Sequence, residues 1–277
     1  MKLAILRRPT IAISALLLAG ACTAAPTQTA DTAVGNDAEA GFEQLFDGKS
    51  LDGWRGDPAV WSVRDGAITG GSDKPLTSNT FLIYPKSYSN FELHYKYRMS
   101  GDGNSGVQFR SVVADEAKYA VHGLQANVVP PEQAERFGML WEEGGRAELA
   151  LLGHQMVLRR ENDKLVKTVQ ASTNPRDLLY SIVRPYPEWN DVVLIAYGNR
   201  MVHALNGYVL FDAVDEDPVS RKEGILALQS HSGPPMHVQF KDIAIKPLSA
   251  PPSLENRFIT NPGPPTPADP GPRVPRK

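Results

Sequence analysis

The chain has 277 residues, with 29 Lys+Arg against 31 Asp+Glu and a formal net charge of −2; its pI is near 6.3. That balance excludes a strongly basic nucleic-acid binder, whose footprint is a clustered cationic patch, and an apolar content of 42% excludes wholesale disorder. A single cysteine, Cys22, can form neither an internal disulfide nor a zinc cluster.

The two ends read as appendages. Lys2, Arg7 and Arg8 precede a short apolar run, Ile11 to Leu18, and small residues Ala19-Gly20-Ala21 lead into Cys22. A run this short does not span a bilayer as a mature helix. Residues 1–21 resemble a bacterial lipoprotein signal, cleaved so that Cys22 carries the lipid; an ordinary secretory peptide cut nearby is the alternative. Either way the pattern predicts export, and lipid chains would place the protein in the cell envelope, on the periplasmic or outer-membrane surface, anchored without spanning. Residues 22–40 are small and polar, a flexible tether. From Ser249 to Lys277 the density of proline predicts an extended, solvated tail. Roughly 207 residues, 42–248, remain for one domain, and no internal repeat is visible.

Within that domain the signals are those of strands. Asp65-Gly66 is a tight turn between Trp61-Ser62-Val63 and Ala67-Ile68-Thr69. Phe91 to Arg98 alternates apolar with polar for eight residues. Val107 and Phe109 alternate with Gln108 and Arg110, and Leu124, Ala126 and Val128 alternate with Gln125 and Asn127. Pro130 to Phe137 suits only a short helical turn. Val192 to Tyr197 and Met201 to Leu205 are apolar, and Asn206-Gly207 before Tyr208-Val209-Leu210 is a hairpin signal. Ile225 to Leu228 and the alternating Val238, Phe240, Ile243 and Ile245 complete an all-β, two-sheet sandwich.

Several blocks then resemble a known family. Phe46-Asp47-Gly48-Lys49-Ser50-Leu51-Asp52-Gly53-Trp54 is similar to its opening motif, followed by Trp61 to Ile68, Asn90 to Leu93, Gly103 to Arg110, Glu188-Trp189-Asn190, Asn206-Gly207 and Gly224 to His231, all in the family's order. The family is that of the 3-keto-disaccharide hydrolases. The resemblance covers essentially all of 42–248, and implies an antiparallel jelly roll of the concanavalin A-like type and a carbohydrate or glycoside substrate. His122 to Asn127 resembles the family's "G-Y-Q-A-D" block, with Leu124 in place of an aromatic and Asn127 in place of an aspartate. An amide there orients a hydroxyl but takes up no proton.

Strand period sorts the faces. With Leu124 and Ala126 inward, Gln125 and Asn127 share the open face, and the same rule sets Gln108 beside Arg110. Glu142 and Glu143 point to opposite faces. If Gly144-Gly145 is a two-residue turn, Glu143 and Arg146 flank it as a cross-strand pair. Glu143 is therefore expected in an open groove with Gln125, Asn127 and Arg110. The resemblance implies a chemistry for it: a ketone at C3 acidifies the C2 proton of a sugar, so a base can remove it and expel the C1 substituent. Glu143 is the candidate base, His122 or His231 the proton donor, and Arg110 or Arg146 the partner of the developing enolate. No second carboxylate has an equal claim. Gln108, Gln125, Asn127, Trp141 and Gln229 are the candidate sugar-binding residues.

Blander roles compete: a solvated Glu143–Arg146 pair, an Arg110 that supports a structural carboxylate such as Asp102, and core packing for Trp141 and Trp189. Asp115, Glu116, Asp215, Glu216 and Asp217 leave a divalent cation open, but their spacing identifies no site. The expected function is an exported enzyme that cleaves 3-keto-glycosides by elimination or hydrolysis. The alternative is a non-catalytic carbohydrate-binding module.

Overall fold

The computed structural model describes residues 41–133 and 136–265. The leader, Cys22, the tether and the end of the proline-rich tail lie outside the described residues. In chain order the strands are β1 (Glu43–Gln44), β2 (Ser62–Arg64), β3 (Ala67–Ser72), β4 (Thr80–Tyr88), β5 (Phe91–Gly101), β6 (Ser105–Asp115), β7 (Ala120–Val128), β8 (Leu140–Glu143), β9 (Ala147–Ala150), β10 (His154–Glu161) and β11 (Lys164–Ser172). A single short helix, α1 (Arg176–Ser181), is the one helix among the described residues. It precedes β12 (Asn190–Tyr197), β13 (Arg200–Leu205), β14 (Tyr208–Asp215), β15 (Gly224–Ser230) and β16 (Met236–Pro247).

These strands form two sheets. The larger runs β11-β10-β14-β13-β12-β5-β16-β3-β2, with β1 beside the end of β16; the smaller runs β4-β15-β6-β7-β8-β9. The all-β sandwich expected from the alternation is the observed fold. Along β5, Phe91, Leu93, Tyr95 and Tyr97 are buried and pack in one core with Phe109, Leu124, Leu140, Leu228, Val238 and Phe240 from both sheets. Asp65-Gly66 and Asn206-Gly207 turn as expected, all four with positive φ. Asn162-Asp163 does the same (φ 48° and 61°) and closes the β10–β11 hairpin, which the sequence reading passed over.

The proline-rich tail is extended but held. Leu248, Leu254 and Phe258 cover Ile195, Val202 and Val209 on the outer face of the larger sheet. Ile259 N–H donates to Gly207 O at 2.8 Å and Asn261 N–H to Thr173 O at 2.9 Å. Arg257 also pairs with Glu92, whose carboxyl burial alone would raise, yet His94 and Arg257 hold it at about 2.

At one end of the sandwich the two sheets are joined by charge. Arg146, at the β8–β9 turn, pairs with Glu142, reaches Asp215 at 2.7 Å and Asp217 at 3.3 Å, and Arg160 takes the other Asp217 oxygen at 2.9 Å. The carboxylates of Glu142, Asp215 and Asp217 are buried. Burial opposes charge on Arg146, but the hydrogen bonds it donates to Asp215 and Glu142 outweigh it and raise its pKa. Removing one partner of such a network strands the others in a poor solvent. Arg146→Met is expected to cost about 3–5 kcal/mol and to lower the melting temperature by roughly 10 °C, read by calorimetry at pH 7.

His203 carries the opposite kind of cost. It is 1% exposed, packs edge-on against Phe211, and neither ring nitrogen has a protein partner. Burial lowers its pKa to about 3. Between pH 6.5 and 3 the unfolded chain binds a proton that the native ring refuses, so stability falls as the pH falls through that window and is unaffected above it. At pH 5 the loss is about 2 kcal/mol relative to pH 7.5. His203→Leu should remove that increment, flattening the pH dependence of urea midpoints between pH 7.5 and 5; parallel curves for the two proteins would exclude His203 as the cause.

Candidate active site

The outer face of the smaller sheet carries a groove of about 320 Å3, at the lower end of the range for ligand pockets. Register explains which side chains line it. Gln108 pairs with Gln125, Gln125 with Trp141, and Trp141 with Glu148, so these four stand in one row across β6, β7, β8 and β9. Asn127 and Glu143 lie two residues along from Gln125 and Trp141 on the same face. Of the row, Gln125, Trp141 and Glu148 line the groove, together with Asn127, Glu143 and Gln229; Asn79, Asn104, Arg136, Met139 and His231 close it from the ends of strands and from loops.

The floor is a chain of amides. Gln125 lies 2.7 Å from Gln108, 2.7 Å from Asn127 and 3.0 Å from Gln229, all side chain to side chain. Gly106 makes this possible: a Cβ there would stand 2.6 Å from the Gln125 amide nitrogen. Ser105 Oγ donates to Gln229 O at 2.7 Å and fixes the neighbouring strand. Above the floor, Trp141 Nε1 donates to Glu143 Oε2 at 3.1 Å, and Lys167 Nζ reaches Glu148 Oε1 at 3.3 Å. His231 Nδ1 faces Ser232 O. A carbonyl only accepts, so that nitrogen carries a hydrogen and Nε2 is left for the groove.

Three expected members are elsewhere. Arg110 is 1% exposed and turns away from Gln108 because β6 bulges between Phe109 and Val112 and Arg110 itself has φ 47°. Its guanidinium donates to Ser89 O at 2.7 and 2.9 Å and to Gly198 O at 2.9 Å, not to Asp102. Burial lowers its pKa to about 10, against the pull of Asp215. Arg146 is not the cross-strand partner of Glu143: the left-handed Ala147 (φ 63°) ends the turn, and Arg146 joins the buried network described above. His122 is exposed at the start of β7, its ring against Gly144; alternation puts it on the face of Leu124, away from the groove. Trp189 is held between Arg98 and Lys241, each 4.5 Å from its ring centre.

The structure adds two charged groups that the sequence reading missed. Arg136 is the arginine of the groove, carried by a turn in which its N–H donates to Gln133 O at 2.9 Å. Glu148 is a second carboxylate. A register with Glu143 opposite Arg146 already sets Trp141 opposite Glu148, so that signal was present. Among the described residues no group of three or more His, Cys, Asp or Glu side chains is placed to hold a metal ion. Asp115, Glu116, Glu216 and Asp217 are paired with Lys118, Arg55, Arg159 and Arg160 instead. A larger cavity of about 840 Å3 opens between the end of β5 and residues 180–186. Its one arginine, Arg184, is held by Asp191 and Trp189 O, and no histidine lines it, so the smaller groove is the better candidate for chemistry.

The chain is similar to a 3-keto-disaccharide hydrolase of Bacteroides thetaiotaomicron, with 24% identity over 183 residues, 60% of this chain and 56% of that protein. It thus spans little more than half the length of that relative. Two solved structures from Parabacteroides distasonis, provisionally named glycosyl hydrolases, share the fold. One has a TM-score of 0.51 at 22% identity over 76% of this chain and 96% of its own; the other has 0.50 at 20% over 75% and 99%. The profile of the 3-keto-alpha-glucoside-1,2-lyase-like domain matches residues 41–246, which is nearly the whole sandwich, and the chain belongs to that family.

Proposed function

We propose that the protein is a glycoside-active enzyme that cleaves 3-keto-glycosides in the groove of the smaller sheet. The observation that carries this reading is the convergence of Glu143, Glu148, Arg136 and His231 above an amide floor. The family match supports that substrate class. With the ring of a 3-keto sugar on that floor, Glu143 takes the C2 proton. The C2–H electron pair forms the enolate, whose oxygen at C3 faces the Arg136 guanidinium. The C1–O bond then breaks, and the leaving oxygen takes a proton. His231 can give that proton only in its doubly protonated form, because Nδ1–H is committed to Ser232 O. Water added across the resulting C1=C2 bond restores the 3-keto sugar.

Trp141 has two uses in this arrangement. Its indole N–H orients the Glu143 carboxylate, and its ring offers an apolar surface to a sugar face. The leader pattern and Cys22 extend the reading to an exported domain held to a membrane by lipid. A second reading, a carbohydrate-binding module, is favoured by the floor itself: Gln125, Asn127 and Gln229 bond hydroxyls without any chemistry.

The decisive measurement is sugar release from 3-keto-trehalose and 3-keto-glucosides by the purified protein. Turnover is expected, and Glu143→Gln should lower kcat/KM by about 10²–10⁴-fold with the melting temperature unchanged. Full activity in that variant would take the base role from Glu143, and sugar binding with no turnover on any substrate would establish the module instead. Arg136→Met is expected to lower kcat by about 10²–10³-fold with a smaller change in KM, since an oxyanion partner acts in the transition state; a change in KM alone would make Arg136 a binding residue.

A further inference from the structure

Asn79 closes the groove beside His231, and strand register puts it there. The end of β15 pairs with the start of β4, with Gln229 opposite Phe81 and Ser230 opposite Thr80. One step further along, Asn79 stands opposite His231 on the same face. The loop after β15 is tied down at this point. Ser232 N–H donates to Asn79 Oδ1 at 2.9 Å. Leu76 and Gly233 exchange main-chain hydrogen bonds of 3.1 and 2.9 Å. The Gly233 N–H belongs to the same peptide unit as Ser232 O, the carbonyl that holds His231 Nδ1.

The bond from Ser232 also fixes which way the Asn79 carboxamide faces. A main-chain N–H only donates, so the atom opposite it is the oxygen. The nitrogen, with two hydrogens, is left on the other side, without an acceptor among the described residues. Asn79 is only half-buried and lines the groove, so those hydrogens are open to a ligand. The amides of Gln125, Asn127 and Gln229 are buried by contrast.

Strand order says which part of a substrate comes within its reach. The smaller sheet runs β4-β15-β6-β7-β8-β9. Glu143 on β8 and the Gln125–Asn127 pair on β7 therefore stand on one side of His231, and Asn79, at the edge strand β4, stands on the other. With the 3-keto ring over β7 and β8 and its C1 oxygen at His231, the group bonded to that oxygen extends towards Asn79. We propose that Asn79 is a specificity-determining residue, whose Nδ2 donates a hydrogen bond to an oxygen of the leaving group. The groove then favours leaving groups that carry acceptor oxygens of their own. This deepens the reading of the groove as a 3-keto-glycoside site and rests on it. A methoxy leaving group offers nothing beyond the glycosidic oxygen, whereas a sugar offers several hydroxyl oxygens.

Asn79→Asp separates the two ends of the side chain, because a carboxylate still accepts from Ser232 N–H but donates nothing. The test compares wild-type and variant full chains on 3-keto-trehalose and on methyl 3-keto-α-glucoside. The variant is expected to lose about 10-fold in kcat/KM with 3-keto-trehalose and no more than about 2-fold with the methyl glucoside, at an unchanged melting temperature. The pair of substrates isolates the contact, since an altered field at His231 or a displaced loop slows both alike. Asn79→Ala gives up both bonds, and should show the same difference between substrates on top of a loss common to the two. Equal losses on both substrates in Asn79→Asp, or no loss on either, would overturn the proposal and leave the enzyme reading standing. Should the wild type turn over neither substrate, the enzyme reading fails and the role of Asn79 fails with it.

Discussion

A guanidinium nine-tenths buried must be fully paired, and the Arg146 side chain meets that demand with Glu142 from its own hairpin and with Asp215 and Asp217 from the opposite sheet. The consequences run through the molecule. Because Arg146 is committed inward, the β8–β9 hairpin is held against the larger sheet at its turn. Glu142 follows Arg146 inward, and strand period then leaves Glu143 on the outer face. The groove thus has its carboxylate because the charge next to it in sequence has been taken out of the way. A pair between Glu143 and Arg146 would neutralise both groups and leave Glu142 and Asp215 buried without their cation.

Much of the groove was legible because most of it sits on regular strand. Gln125 and Asn127 share a face by period alone, and Trp141 and Glu143 do the same on β8. Two residues misplaced by the sequence reading, Arg110 and Arg146, share a cause: period 2 predicts a face only while the backbone stays extended. Arg110 sits in a bulge and Arg146 precedes a left-handed residue, whereas period alone already sets His122 on the face of Leu124. Arg136 gave no periodic signal at all, since a helical-type turn after two prolines sets its position.

The same distinction explains the larger fold. Sheets were readable wherever an apolar residue recurred every second position, as in β5, β7 and β16. The β10–β11 hairpin is less apolar on its outer face, and its strongest cue was the pair Asn162-Asp163, a turn type that tolerates positive φ. The tail is proline-rich and extended as composition dictates. Composition could not show that Leu254 and Phe258 would find Ile195, Val202 and Val209 uncovered on the back of the larger sheet.

The two kinds of support under the groove divide its tasks. Glu143 and the amides stand on strands paired on both sides, with Glu148 on the edge strand β9, and groups on such strands can be held near a productive geometry without reorganising when a ligand arrives. Arg136 and His231 come from a turn and a strand end, which tolerate sequence change and small displacements. If Glu143 is the base proposed above, it needs a fixed position, because a misplaced base loses the reaction. A guanidinium facing an enolate oxygen is less demanding, since its field acts over a longer range than a hydrogen bond. Within one architecture, substrate range would therefore change through the turn that carries Arg136 and the loop after β15, while the strand-borne row from Gln108 to Glu148 keeps the chemistry in register.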